Sequence, residues 1–166
     1  MPGDALFRVQ FAAATQTELR LPEDGRQSET ARTVARGTRR MLRTHGYVTV
    51  TELGLANGRR ADIVALAADG TVVIVEVKSS VADVRADLKW QFYRAYCDRL
   101  FFAIPASLSP DVIPDDAGLI IADAYGAETV RDAPEHRMSA STRRGMIIRT
   151  AQAAADRLHR LADPEF

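Results

Sequence analysis

Arg59-Arg-Ala-Asp-Ile-Val-Ala-Leu-Ala-Ala-Asp-Gly-Thr-Val-Val-Ile-Val-Glu-Val-Lys-Ser-Ser80 is the stretch on which the fold is read. Two Val/Ile-rich runs flank Ala68-Asp69-Gly70, which is hairpin punctuation between strands. Each run carries residues that apolar strands normally exclude: Asp62 at the start of the first, Glu76 and Lys78 at the end of the second. Side chains two apart in a strand share a face, so Glu76 and Lys78 lie together. If Ala68-Asp69-Gly70 is a three-residue loop with Gly70 left-handed, Ala67 faces Thr71 and Asp62 falls opposite Glu76. Opposed residues have Cβ atoms about 5 Å apart, close enough for both carboxylates to hold one cation. A two-residue turn would put them on opposite faces.

Two carboxylates and an ammonium at the end of an apolar sheet repel and resist full ionisation unless a cation is bound. Magnesium, or manganese, suits one or two carboxylates completed by waters and phosphate oxygens. Lys78 would hold or help deprotonate a water, or stabilise phosphate charge. The competing reading is a structural ion pair between Lys78 and one of the acids.

Asp62 followed by Glu76-Val77-Lys78 resembles the core motif of the PD-(D/E)XK nuclease superfamily, and the wider pattern is similar to the MmcB-like DNA-repair proteins. That pattern consists of Leu55-Ala-Asn-Gly-Arg-Arg-Ala-Asp62, Val75-Glu-Val-Lys-Ser-Ser80, Lys89-Trp90, Cys97-Asp-Arg and Asp123-Ala-Tyr-Gly126. The resemblance implies a restriction-endonuclease-like α/β fold, a mixed central β-sheet flanked by α-helices, and a role in DNA repair. It implies Asp62 and Glu76 as metal ligands, the Val77 backbone carbonyl as a further ligand, and Lys78 as the catalytic lysine. Many members of the superfamily carry a glutamate in the first helix at a position that falls on Ala35 here. Glu52, on the first strand, is the remaining candidate for a third carboxylate ligand.

Outward from this hairpin, the chain reads as an arm over residues 1–27 and a single domain over residues 28–166. The 166 residues, 46% hydrophobic and 27% charged, are enough for one full core. The single cysteine, Cys97, excludes an internal disulfide framework. No apolar run has the length of a membrane span, and the expected location is the cytoplasm. With 22 basic and 22 acidic residues, overall charge does not attract DNA, so the distribution of charge has to.

Residues 28–45 read as a helix buried through Ala31, Val34, Ala35, Thr38, Met41 and Leu42, with Arg32, Arg36, Arg39, Arg40 and Arg43 on another face. Those arginines would either track a phosphate backbone or form a solvated face. Tyr47–Leu53 alternates as a strand. Arg59 and Arg60, just before Asp62, are candidates to hold a phosphate. Ser79-Ser80 opens a second long helix, with Val81, Val84, Leu88, Phe92 and Ala95 as its buried stripe. On it, Lys89 is a DNA-contact candidate, and Trp90 either stacks on an unpaired base or packs in the core. Arg99–Pro105 and Gly118–Asp123 read as further strands, the second turning at Tyr125-Gly126 into another. A last helix, near 140–162, would face the body through Met146, Ile147, Ala151, Ala154, Leu158 and Leu161, leaving Arg143, Arg144 and Arg149 outside.

The expected function is magnesium-dependent hydrolysis of DNA phosphodiesters in repair. The expected partner is damaged or branched DNA, with a homodimer or a repair protein as further candidates. The alternative is an accessory protein that binds DNA or a partner through the same fold without cutting.

Overall fold

The structure is a computed structural model and describes residues 27–164; the arm expected before them lies outside the described residues except for Gln27. Six strands form one mixed sheet in chain order: β1 (Val48–Gly54), β2 (Arg60–Leu66), β3 (Val72–Val77), β4 (Arg99–Ile104), β5 (Gly118–Ala122) and β6 (Ala127–Arg131). The pairs β1–β2, β2–β3 and β5–β6 are antiparallel, whereas β3–β4 and β4–β5 are parallel. Helix α1 (Glu29–Thr44) packs on one face through Val34 and Leu42, against Ile63, Val73, Val75 and Ala103. The other face, carrying Val64, Ile74, Leu100 and Phe102, is covered by Trp90, Tyr93 and Met146, the last from α3 (Ala140–Ala162). This is the restriction-endonuclease-like α/β architecture expected from the sequence. Among the described residues no helix is long and apolar enough to cross a membrane.

The hairpin is a three-residue loop. Gly70 has φ +87°, and the Ala67 N–H donates to Thr71 O at 3.0 Å. The β2–β3 register pairs Leu66 with Val72 and Ile63 with Val75, which carries Asp62 to the place opposite Glu76. On the other side of β2, Thr51 pairs with Ile63 and Leu53 with Ala61, so Glu52 falls opposite Asp62. Glu52 takes a left-handed φ of +51°, which costs a residue with a Cβ about 1 kcal/mol. With this left-handed residue between them, Val50 and Leu53 both enter the same core layer, although they are an odd number of residues apart and the register does not shift.

Helix α1 begins at Ser28, whose hydroxyl accepts from the Ala31 N–H. Gly37 holds it close to the β5–β6 turn, because a Cβ there would sit 2.0 Å from the Asp123 carbonyl. Asp123 closes that turn by accepting from the N–H groups of Tyr125 and Gly126, the strand-end role its position suggests.

The second long helix does not form. Helix α2 is only Val81–Ala86, and Asp87 leaves helical geometry with ψ 67°. The chain then winds as a 3-10 segment from Trp90 to Tyr96. Its period of three turns Trp90 and Tyr93 inward, while Leu88 and Phe92, expected inside, are 81% and 60% exposed. The inward stripe of α3 also differs from the one expected. Met146 and Thr150 are buried, with Ala153, Arg157 and Leu161 partly buried beyond them, whereas Ala151, Ala154 and Leu158 face outward. Arg143 is not an outward arginine. It forms a two-pronged pair with Asp98 at 2.6 and 2.7 Å and also donates to Gly70 O. Asp98 accepts from the Val72 N–H as well, so this pair ties α3 to the β2–β3 hairpin and holds the Asp98 carboxyl below its usual range.

Candidate active site

The β2–β3 ladder stops at Ile63 and Val75, and the next rung is made by side chains. The Val77 N–H, which would have met Ala61, donates to Asp62 Oδ2 at 2.8 Å. The Asp62 N–H donates to Glu76 Oε1 at 3.2 Å. The two acids therefore cross over one another where β2 and β3 part. Glu76 is 3% exposed. Burial, and then the neighbouring Asp62 charge, push its carboxyl up to about 8; burial also raises Asp62. Both groups resist losing their protons in this setting, and a bound cation would relieve them.

Lys78 is buried on the same face, its Nζ 3.9 Å from Glu76 Oε2 and 5.8 Å from the centre of the Phe102 ring. Its shortest contact is to Asp87 Oδ2, at 2.7 Å. The sequence reading missed Asp87. It stands at the break between α2 and the 3-10 segment, and the assumption of a continuous helix hid it. Ser79 and Ser80 pin the start of α2 reciprocally: the Asp83 N–H donates to Ser80 Oγ, and the Ser79 N–H and hydroxyl donate to Asp83.

Asp62, Glu76, Lys78, Asp87, Arg60 and Tyr93 line an open cleft of about 470 Å³. Tyr93 is the second residue missed. Its hydroxyl donates to the Arg60 carbonyl at 2.9 Å, and burial with nearby carboxylates raises its pKa, so it stays a proton donor. Glu52, whose charge helps to raise Asp62, is engaged by other partners. Arg60 Nε meets its carboxylate at 2.5 Å and Gln27 donates to it at 2.6 Å. Among the described residues no three His, Cys, Asp or Glu side chains converge on one point. The donor set still fits a hard divalent cation: two acidic oxygen groups from the protein, with water and phosphate oxygens to complete the shell.

The DNA-contact candidates divide between the two layers. Arg59 and Arg60 adjoin the cleft, and Lys89 is exposed at the start of the 3-10 segment. Trp90 is 6% exposed and packs edge-on against Phe102 at 5.4 Å, with Arg94 over its ring at 4.6 Å. It belongs to the core and cannot stack on a base. The arginines of α1 lie on the opposite face of the sheet from Glu76. Arg40 is tied to the Ala124 and Tyr125 carbonyls; Arg32, Arg36 and Arg43 are exposed. Arg39 donates to Thr49 Oγ1 and is held below the usual arginine range by burial and then by Arg157. Arg157 comes from α3 and donates to Thr51 O at 2.5 Å. It was missed because it occupies an inward position of α3 where an apolar residue is expected. Two guanidinium groups from opposite layers thus bond to Thr49 and Thr51 of the edge strand β1 and repel one another. Cys97 is buried, donates to Tyr93 O and has its thiol pushed up to about 12, which leaves it inert.

Comparison with known proteins adds a family and a fold. A family model described as DNA repair protein MmcB-like matches residues 19–165. A protein of unknown function from Silicibacter pomeroyi, whose structure is solved, is 43% identical, covers 84% of this chain and 95% of its own, and superposes with a TM-score of 0.80. Among curated proteins none matches.

Proposed function

Since this chain belongs to the MmcB-like DNA repair family, we propose that it is a metal-dependent deoxyribonuclease of the PD-(D/E)XK type, acting on damaged or branched DNA. The observation that carries this reading is the facing pair of a half-buried Asp62 and a buried Glu76, both reluctant to ionise and joined on one face by Lys78. Magnesium or manganese, when bound, neutralises charge on phosphoryl oxygens and on the two acids. Asp62 and Glu76 would hold the ion, with the Val77 carbonyl, as in the superfamily pattern, as a further ligand. Lys78, held in place by Asp87, directs its ammonium toward the charge that develops on the phosphate as the bond breaks. Tyr93, through its bond to the Arg60 carbonyl, fixes the backbone just before Asp62. Arg59, Arg60 and Lys89 supply positive charge at the cleft mouth for the flanking phosphates. The Arg39–Arg157 pair is a second place where a phosphate would relieve like-charge repulsion.

The test is cleavage of forked, flapped and nicked DNA with magnesium or manganese, comparing the wild type with Glu76→Gln and Lys78→Met. Wild-type cutting that both variants abolish supports the proposal. DNA binding without cutting on every substrate refutes it. The rival reading, an accessory protein that binds without cutting, draws on two observations: Lys78 is already committed to Asp87, and Glu52 to Arg60.

A further inference from the structure

The rim of the cleft keeps an aromatic ring in water. The 3-10 segment sends Trp90 and Tyr93 into the core and so throws Phe92 outward, 60% exposed, with Leu88 before it at 81%. Burying a phenylalanine is favourable, and a protein that leaves one out has forgone that gain. Arg59, from the turn before β2, lays its guanidinium 5.2 Å from the centre of the Phe92 ring and 5.7 Å from that of Tyr93. Tyr93 then bonds the Arg60 carbonyl, and both Tyr93 and Arg60 line the carboxylate cleft. Ring, guanidinium and cleft are thus one connected surface, with the exposed Lys89 next to it.

We infer that Phe92 and Arg59 form a stacking platform for an unpaired base, so that the DNA presented to the cleft carries single-stranded nucleotides. This rests on the nuclease reading only for what happens at the cleft; the platform itself is a binding site. An exposed ring with a planar cation beside it is the pairing that holds single strands, the ring taking a base face and the guanidinium a base or the adjoining phosphate. Bases in duplex DNA hide their faces in the stack, so only an unpaired nucleotide has one to offer. A protein partner fits less well: Lys89 and Gln91 separate Leu88 from Phe92, and the apolar surface is broken by charge rather than continuous.

The experiment is equilibrium binding, by fluorescence anisotropy in EDTA, of a labelled single-stranded oligonucleotide and of a blunt duplex of the same length. It compares the wild type with Phe92→Ala, Phe92→Trp and Arg59→Ala. Phe92→Ala is expected to weaken single-strand binding roughly tenfold, to leave duplex binding unchanged and to leave the salt dependence as it was. Phe92→Trp should restore the affinity, and Arg59→Ala should weaken binding and flatten the salt dependence. Melting temperatures within a degree or so of wild type for Phe92→Ala, expected at an exposed position, show that the fold is kept. The inference is overturned if the wild type does not bind single strands. It is also overturned if Phe92→Ala binds them as wild type does, if it loses duplex equally, or if its only effect is on association with protein. Divalent cations are absent, so the result does not depend on cutting. Phe92-dependent binding with no cleavage anywhere would sink the nuclease proposal alone; wild-type cleavage by Phe92→Ala with unchanged binding would sink the platform alone.

Discussion

Replacing Glu76 by glutamine should make the metal-free protein more stable in alkaline solution, although it removes a buried hydrogen-bonding acid. In the folded chain the Glu76 carboxyl titrates at about 8 rather than 4.5, because burial and Asp62 oppose its charge. Between those two values the folded state holds a proton that the unfolded chain has released, so stability falls as pH rises through this window. The full displacement, with the opposing pull of the Lys78 ammonium already in it, corresponds to about 5 kcal/mol. Glutamine escapes this cost. Its Oε1 keeps the Asp62 N–H bond, and its Nε2 can donate to the Asp62 carboxylate. Urea unfolding in EDTA at pH 5.5, 7.0 and 8.5 is the assay. Because pH 5.5 already lies above 4.5, part of the loss is present there, and the stability gap in favour of Glu76→Gln should grow by about 3 kcal/mol from the lowest to the highest pH. Magnesium should close the gap at pH 8.5 by stabilising the wild type and not the variant. A variant that is less stable than wild type at pH 8.5, or a gap that does not change with pH, would refute the reasoning.

Other substitutions probe the scaffold that holds the pair. Asp87→Ala leaves Lys78 with Glu76 at 3.9 Å as its nearest acid, so it should lower the apparent pKa of Glu76; an NMR titration of the side-chain carboxyl resonances reads this directly. Trp90→Ala should cost about 3–5 kcal/mol by calorimetry, as expected for a core ring packed on Phe102 rather than a surface stacker. Arg143→Ala leaves Asp98 with only the Val72 N–H and should destabilise by about 2–4 kcal/mol, with the melting temperature falling accordingly. Gly37→Ala drives a methyl into the Asp123 carbonyl, so the variant should unfold several degrees lower, while Gly126→Ala, with open space around it, should not suffer such a clash.

The sheet and the opposition of Asp62 to Glu76 were legible because strand pairing is arithmetic: a loop length and a glycine fix every partner along the ladder. The same arithmetic, carried one strand further, would have put Glu52 opposite Asp62, but would not have shown its left-handed backbone or its ion pair with Arg60. The segment after Ser80 was misread for a physical reason. Val81, Val84, Leu88 and Phe92 recur at helical spacing, so their pattern suggests one buried stripe. What decides the conformation is Asp87, drawn out of the helix with its carboxylate on Lys78, a contact between residues that no local periodicity reports. The exchange of Trp90 for Phe92 as the exposed aromatic follows directly from that break. In α3 the inward positions Thr150 and Arg157 are polar, and a search for apolar spacing slides past them onto Ala151, Ala154 and Leu158.

The three-residue loop at the far end of the β2–β3 hairpin has a consequence beyond joining two strands. It acts as a counter. Exchanging Asp69 for another residue removes a bond to the Thr71 N–H and little else, whereas deleting it shifts every later residue by one place. Glu76 and Lys78 would then rotate into the layer occupied by α1, leaving Asp62 alone at the cleft. The chemistry at one end of the hairpin is thus indifferent to the spelling of the loop at the other end and wholly dependent on its length.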